Sequence, residues 1–245
     1  MAPRTVWVVV PTYNELDNIE RATAAAVREL ERVVPGSFRV LIVDDSSPDG
    51  TGELADRLAS QSDGMIEVLH RAEREGLGPA YLAGFARALS AGADLVLEMD
   101  ADMSHDPGDI GRLLAAIDDG ADLALGSRYT PGGAVAHWGP LRRFVSRGGC
   151  LYARLVLGLP IRDLTGGYKC FRREVLEAID LPSVRSHGYV FQVELTLRTV
   201  RCGFKVVEVP ITFYDREHGR SKMSARIAVE AAWLLPQLRE RRGSS

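Results

Sequence analysis

What this 245-residue sequence lacks narrows its function before any motif is read. No stretch approaches the roughly 18 to 20 uninterrupted apolar residues that a membrane-crossing helix needs, so membrane contact is expected to be peripheral or through a partner. Only three cysteines occur, Cys150, Cys170 and Cys202. They are far apart and form no C-x-x-C pair, which argues against a disulfide framework or a zinc site and fits a reducing compartment. A basic excess is also missing: the formal net charge is −3, so a nucleic-acid partner is not expected. Neither the dinucleotide fingerprint G-x-G-x-x-G nor a P-loop follows any strand-like run. Internal repeats, long linkers and low-complexity tracts are absent. The chain enters a strand-length apolar run at Val6 directly, so no leader is expected.

With 46% hydrophobic and 26% charged residues, the composition is that of a globular protein able to bury a substantial core. Short β-branched runs at 6–10, 40–44, 66–70, 95–100 and 123–127 read as strands. Between them, 16–33, 51–60, 79–90 and 107–118 carry helical periodicity, two of them opening near a proline. Strands buried on both faces and each followed by a helix predict a Rossmann-like, mostly parallel α/β sheet with right-handed crossovers. Beyond Ser127 the pattern loosens. Helices are expected at 141–157, 190–202 and 223–238, and a last strand pair at 206–209 and 211–214, broken at Pro210.

In such a sheet ligands bind beyond the carboxyl ends of the strands, and here those ends are acidic. The first strand runs into Pro11-Thr-Tyr-Asn-Glu15 and the second into Asp44 and Asp45. These carboxylates can accept from ribose or base N–H groups, but Asp, Ser, Pro and Gly are also what a strand-to-helix turn uses. The fourth strand leads to Asp100 and Asp102. Two neighbouring carboxylates at the end of a buried strand repel unless a cation or protons intervene, and both can reach one hard divalent ion that keeps positions open for phosphates. Such an ion would stabilise a departing diphosphate. Arg128 after the fifth strand, and Arg216 and Lys222 around Gly219, offer further positive charge, though loop charges are commonly just solvated.

Taken in order, Pro11-Thr-Tyr-Asn-Glu15, Val43-Asp-Asp45, Asp100-Ala-Asp102, Gly126-Ser-Arg-Tyr129, Asp163-Leu-Thr-Gly-Gly167, Gly188-Tyr-Val-Phe-Gln-Val-Glu194 and Asp215-Arg-Glu-His-Gly-Arg-Ser-Lys222 resemble the family 2 glycosyltransferases. Within that family the likeness is to polyprenol (dolichol) phosphate mannose synthases, and it runs over nearly the whole chain. The resemblance implies a GT-A fold and an enzyme that transfers mannose, with inversion at C1, from GDP-mannose to a polyprenyl monophosphate. It implies one catalytic domain over 1–245, with a donor half at about 5–127, an acceptor half at about 128–238 and a flexible tail at 239–245. Pro11, Tyr13, Glu15, Val43 and Asp45 would hold the nucleoside, and Asp100, Ala101 and Asp102 the diphosphate and Mg²⁺ or Mn²⁺. Arg216 and Lys222 would close over the donor, and Arg128, Arg142 and Ser146 would bind the acceptor phosphate. Catalytic roles fall to Asp102, Arg128, Arg216 and Lys222.

Two departures stand out. Ser104 occupies the place where relatives commonly carry a glutamine, which makes it a shorter metal ligand, one that reaches the ion through water. Gly219-Arg-Ser-Lys222 replaces the commoner Gly-Glu-Ser-Lys. His105 beside the aspartates reads as a polar loop residue, with a third metal ligand as the alternative. Trp138 reads equally as an interfacial ring. Segment 141–157, with Arg142, Arg143, Arg147 and Arg154 among apolar residues, is either a core helix with a basic face or an interfacial helix for anionic head groups, and the resemblance favours the second. Localisation at the cytoplasmic face of a membrane follows, and some relatives require a membrane-embedded partner subunit. Within enzymes, the alternatives are another nucleotide sugar such as a UDP-hexose, or another acceptor. Outside them, the alternative is a nucleotide-sugar-binding subunit without turnover.

Overall fold

The computed structural model describes residues 4–186, 188–215 and 235–238. Four strands open the chain: β1 (Val6–Thr12), β2 (Phe38–Asp44), β3 (Ile66–His70) and β4 (Leu95–Glu98). Helices α1 (Ile19–Val33), α2 (Thr51–Ser60) and α3 (Leu77–Ser90) connect them. β1 pairs in parallel with β2 and β4, and β2 with β3, as right-handed crossovers require. All seven residues of β1 are buried, so helices cover both faces. α1 turns Ile19, Ala22, Thr23, Ala26 and Leu30 inward at helical spacing. α3 lies so close to the sheet that a Cβ on Gly84 would fall far inside contact distance of Val9 Cγ1, and only glycine fits there.

The second half breaks the parallel pattern. A 3-10 turn at Pro107–Asp109 leads into α4 (Ile110–Asp118), then β5 (Leu123–Ser127), the short β6 (Ala134–Val135) and α5 (Pro140–Leu157). β7 (Lys169–Arg172), α6 (Arg173–Ala178), α7 (Gly188–Arg201), β8 (Val206–Pro210) and β9 (Thr212–Phe213) follow. The main sheet has the order β3-β2-β1-β4-β7-β5-β8, with β7 antiparallel to both neighbours, while β6 and β9 form a separate parallel pair. The predicted strand pair at 206–214 is therefore two strands in two sheets. Pro210 pairs with Ser127 at the end of the edge strand β8, and Ile211 N–H still donates to the Ser127 carbonyl at 3.1 Å before the chain crosses to β6.

Other boundaries shift for local reasons. α1 starts at Ile19, because the Glu15 carbonyl accepts from Asn18 and Ile19 N–H at 2.9 Å each and makes 15–18 a turn. β4 stops at Glu98, so Asp100 and Asp102 stand on the loop after the strand and not on the strand. β7 and α6 were not anticipated. Of the helix expected at 223–238, only 235–238 lie within the described residues; that turn buries Leu235 and Leu238 against Val193 and Leu197 of α7. The tail at 239–245 lies outside the described residues. Among the described residues no helix is long and apolar enough to cross a membrane.

Candidate active site

The ends of β1 and β2 lie side by side, Pro11 opposite Val43 and Thr12 opposite Asp44. Asp44 is consumed by its own turn: it accepts from the Thr12 hydroxyl at 3.0 Å, the Ser47 hydroxyl at 2.6 Å and the Ser47 N–H at 3.1 Å. Asp45, also buried, holds the loop that enters α3, accepting from Gly76 N–H at 2.7 Å, Glu75 N–H at 3.2 Å and the Arg71 guanidinium. Arg74 of that loop lies 3.8 Å over the Tyr13 ring. Glu15 accepts from the Asn18 amide at 2.8 Å, and its N–H is bound to Thr51 Oγ1 at 3.0 Å. Pro11 and Val43 at the strand ends, and Tyr13, Glu15 and Asp45 on the loops that follow, thus gather at one sheet edge.

Next to them comes the loop after β4. The Tyr81 hydroxyl donates to Asp100 Oδ1 at 3.1 Å. Burial, with Asp100 and Glu98 nearby, pushes the Tyr81 pKa well up, so it stays a donor. Asp102 is 3% exposed and accepts from Ser104 N–H at 3.0 Å. The Asp100 N–H donates to His105 Nδ1 at 3.1 Å. That bond places the ring proton on Nε2, and the ring stacks on Tyr168 with centroids 4.7 Å apart. His105 is buried, not a solvated loop residue; burial lowers its pKa despite the aspartates, which pull the other way. The Ser104 carbonyl accepts from Tyr214 N–H at 3.2 Å, while its hydroxyl is fully buried and has no hydrogen-bond partner. Two carboxylates and an unpartnered hydroxyl within five residues form an all-oxygen set that suits a hard divalent cation needing one or two protein carboxylates besides substrate phosphates. Among the described residues no cluster of three or more His, Cys, Asp or Glu side chains could hold a metal.

Behind this loop sits a buried ion pair that the sequence did not reveal. Glu98 and Lys169 face each other across β4 and β7, both fully buried, 4.0 Å apart. Burial raises Glu98 to about 8 against the opposing pull of Lys169, and lowers Lys169 to about 8. Lys169 Nζ also donates to the Gln192 carbonyl at 2.9 Å.

Beyond β5 lies the basic part of the edge. Arg128 is 5% exposed and bound to fully buried Asp163 by two parallel bonds, Nε at 2.7 Å and Nη2 at 2.6 Å, with Thr165 Oγ1 at 2.8 Å from Nη2. Burial works to raise the Asp163 pKa, but the Arg128 charge and hydrogen bonds outweigh it and hold the carboxyl below its usual range. Arg128 therefore does not stand free at the pocket edge: most of its guanidinium is committed to Asp163 and Thr165. Arg142 reaches Asp215 at 2.7 Å, and the Tyr129 hydroxyl donates to Ser146 at 2.6 Å. Arg128 and Arg142 both lie over one indole, Trp138, at 5.8 and 4.1 Å from its centroid. Trp138 is 6% exposed, so it is no interfacial ring. Glu194 pairs with Arg198 at the start of the α7 core and takes no part in this edge. Arg216, Lys222 and His187 lie outside the described residues.

Residues 7–180 match the model of glycosyl transferase family 2. The chain belongs to that family. Among relatives of this family 2 protein is the polyprenol monophosphomannose synthase of Mycolicibacterium smegmatis, 51% identical over 94% of this chain and 85% of that one. The undecaprenyl-phosphate mannosyltransferase of Micrococcus luteus is 48% identical over 92% and 90%. Among solved structures, the mannosyltransferase PcManGT of Pyrobaculum calidifontis in complex with GDP-Man and Mn²⁺ superposes with a TM-score of 0.66 at 18% identity, covering 100% of this chain and 68% of that one. The seven-stranded mixed sheet flanked by helices is the GT-A fold of these transferases.

Proposed function

We propose that this family 2 transferase moves mannose from GDP-mannose, with inversion at C1, to a polyprenyl monophosphate, and does so at the cytoplasmic face of a membrane. The reading is carried by near-full-length identity of 51% and 48% to two lipid-phosphate mannosyltransferases, spanning both the acidic and the basic parts of the edge. Pro11, Tyr13, Glu15, Val43 and Asp45 hold the nucleoside in the half of the domain before Ser127. Asp100, Ala101, Asp102 and Ser104 would hold the diphosphate and a divalent cation. Mg²⁺ or Mn²⁺ bound there would supply the positive charge against which a diphosphate departs. Arg128 and Arg142, with Ser146, align an acceptor phosphate oxygen with C1. As the new C1–O bond forms, the C1–O bond to the diphosphate breaks and its electron pair leaves on GDP. Arg216 and Lys222 stabilise the departing group. Such a reaction needs positioning and electrostatics but no protein base, since a phosphate monoester already presents an anionic oxygen.

α5 is the membrane contact in this reading. Leu141, Phe144, Val145, Leu151, Tyr152 and Leu155 are exposed along one stripe, flanked by exposed Arg143, Arg147 and Arg154. A membrane-embedded partner subunit is a second anchor that the reading accommodates.

Incubation with membranes and a panel of labelled nucleotide sugars tests the proposal. Label from GDP-mannose, and not from a UDP-hexose, should appear in the extracted lipid. Chelation should abolish transfer, Mg²⁺ or Mn²⁺ should restore it, and Asp102→Asn should lower kcat by a factor on the order of 100 or more. Full activity in chelator refutes the metal assignment, and lipid labelled from another sugar refutes the donor.

A further inference from the structure

Trp138 sits at the centre of the basic part of the edge, between Arg128 and Arg142. Its indole is 6% exposed, with Arg142 Cζ 4.1 Å from the ring centroid and Arg128 Cζ at 5.8 Å on the same side chain. Phe213 of β9 braces it edge-on at 5.5 Å and 74°. Phe213 in turn meets His105, the residue that holds the Asp100 loop, at 5.5 Å and 77°. Arg142 has few other holds: Asp215 binds one Nη at 2.7 Å, and its Nε is buried without a hydrogen-bond partner. A guanidinium over the face of a desolvated tryptophan gains more than one in water, and the ring fixes its plane. The plane matters, because an arginine grips a phosphate through a flat fork whose direction decides where the anion sits.

We infer that Trp138 is a positioning residue for the acceptor anion, its indole face holding the Arg142 guanidinium in the plane that receives the phosphate. The inference rests on the assignment of Arg142 to the acceptor. Trp138 touches Arg142 directly but reaches the Asp100 loop at second hand, through Phe213 and His105, so its loss should act first on the acceptor.

Steady-state kinetics with GDP-mannose and a short polyprenyl phosphate test this on Trp138→Leu, Trp138→Phe, Arg142→Ala and the double variant Trp138→Leu/Arg142→Ala. Trp138→Leu should raise the acceptor KM roughly tenfold, the size of a desolvated cation–π contact, with the donor KM within about twofold. Trp138→Phe, which keeps an aromatic face, should recover most of that loss. In the double variant the leucine should add little to Arg142→Ala. If Arg142→Ala raises the acceptor KM but Trp138→Leu does not, or the two effects add in full, the positioning role is overturned and the acceptor assignment stands. If Arg142→Ala leaves the acceptor KM unchanged, the acceptor assignment itself has failed. Should Trp138→Leu not fold, the phenylalanine variant decides: an acceptor KM rise of about two- to threefold with the donor KM unchanged supports the role, and equal changes in both overturn it.

Discussion

Asp163 is fully buried, and its carboxylate accepts two bonds from the Arg128 guanidinium, at 2.7 Å from Nε and 2.6 Å from Nη2. Asp163 and Arg128 look in the sequence like two separate motif residues, and only the fold reveals that they form one buried, doubly bonded pair. Removing one partner leaves the other charged and desolvated, so Asp163→Asn should destabilise the protein by about 3–5 kcal/mol in urea unfolding. A loss under 1 kcal/mol would mean that water reaches Arg128. At this scale the acidic pair was legible as two aspartates two residues apart where an apolar strand ends, and the structure sets both on the loop after β4. Trp138, His105, Glu98 and Lys169 were not. Polar and amphipathic residues read by default as solvated, and nothing local announces that β7 carries a lysine into the core opposite Glu98.

Among the elements, the first five strands and the helices between them could be read from the sequence because their apolar runs and 3.6-residue stripes are long and regular. β7 escaped for the opposite reason. It is four residues long, begins with a lysine and ends with an arginine, and shows no alternation. α5 was found as a helix, but whether its apolar residues faced the core was open; the structure leaves Phe144 76% and Leu155 71% exposed. If that stripe meets lipid, Phe144→Ser with Leu155→Ser should weaken co-sedimentation with anionic vesicles at least about tenfold, since each side chain contributes roughly 1.5–3 kcal/mol when fully buried. Turnover of a short, water-soluble acceptor should survive. Unchanged vesicle binding would assign the stripe to another partner.

The response of the whole enzyme to pH follows from which groups are already engaged. His105 spends its Nδ1 lone pair on the Asp100 N–H, and Glu194 is bound to Arg198, so neither can take a proton from an acceptor. The acid limb of kcat/KM should then belong to the substrate: activity is lost as pH falls through about 6, where the phosphate dianion is protonated. A phosphonate acceptor, whose second ionisation lies higher, should carry the limb to higher pH. A limb that ignores the change of acceptor would point to a titrating group on the protein.

The position of β7 also bears on how the molecule is made. β4 and β5 never touch as neighbours; β7 stands between them, antiparallel to both. A chain emerging from the ribosome can assemble β1 to β4 in order, but β5 has no place in the sheet until residues 169–172 arrive some forty positions later. Until then β4 is an open edge, and the loop bearing Asp100 and Asp102 leans on nothing at its β7 side. Such an edge invites pairing with another chain. The step that closes it is a long-range one, which makes it slow compared with formation of the first crossovers. The strand that sequence reading overlooked thus closes the edge that β4 leaves open, and no shortened form ending before Arg172 can hold a complete site.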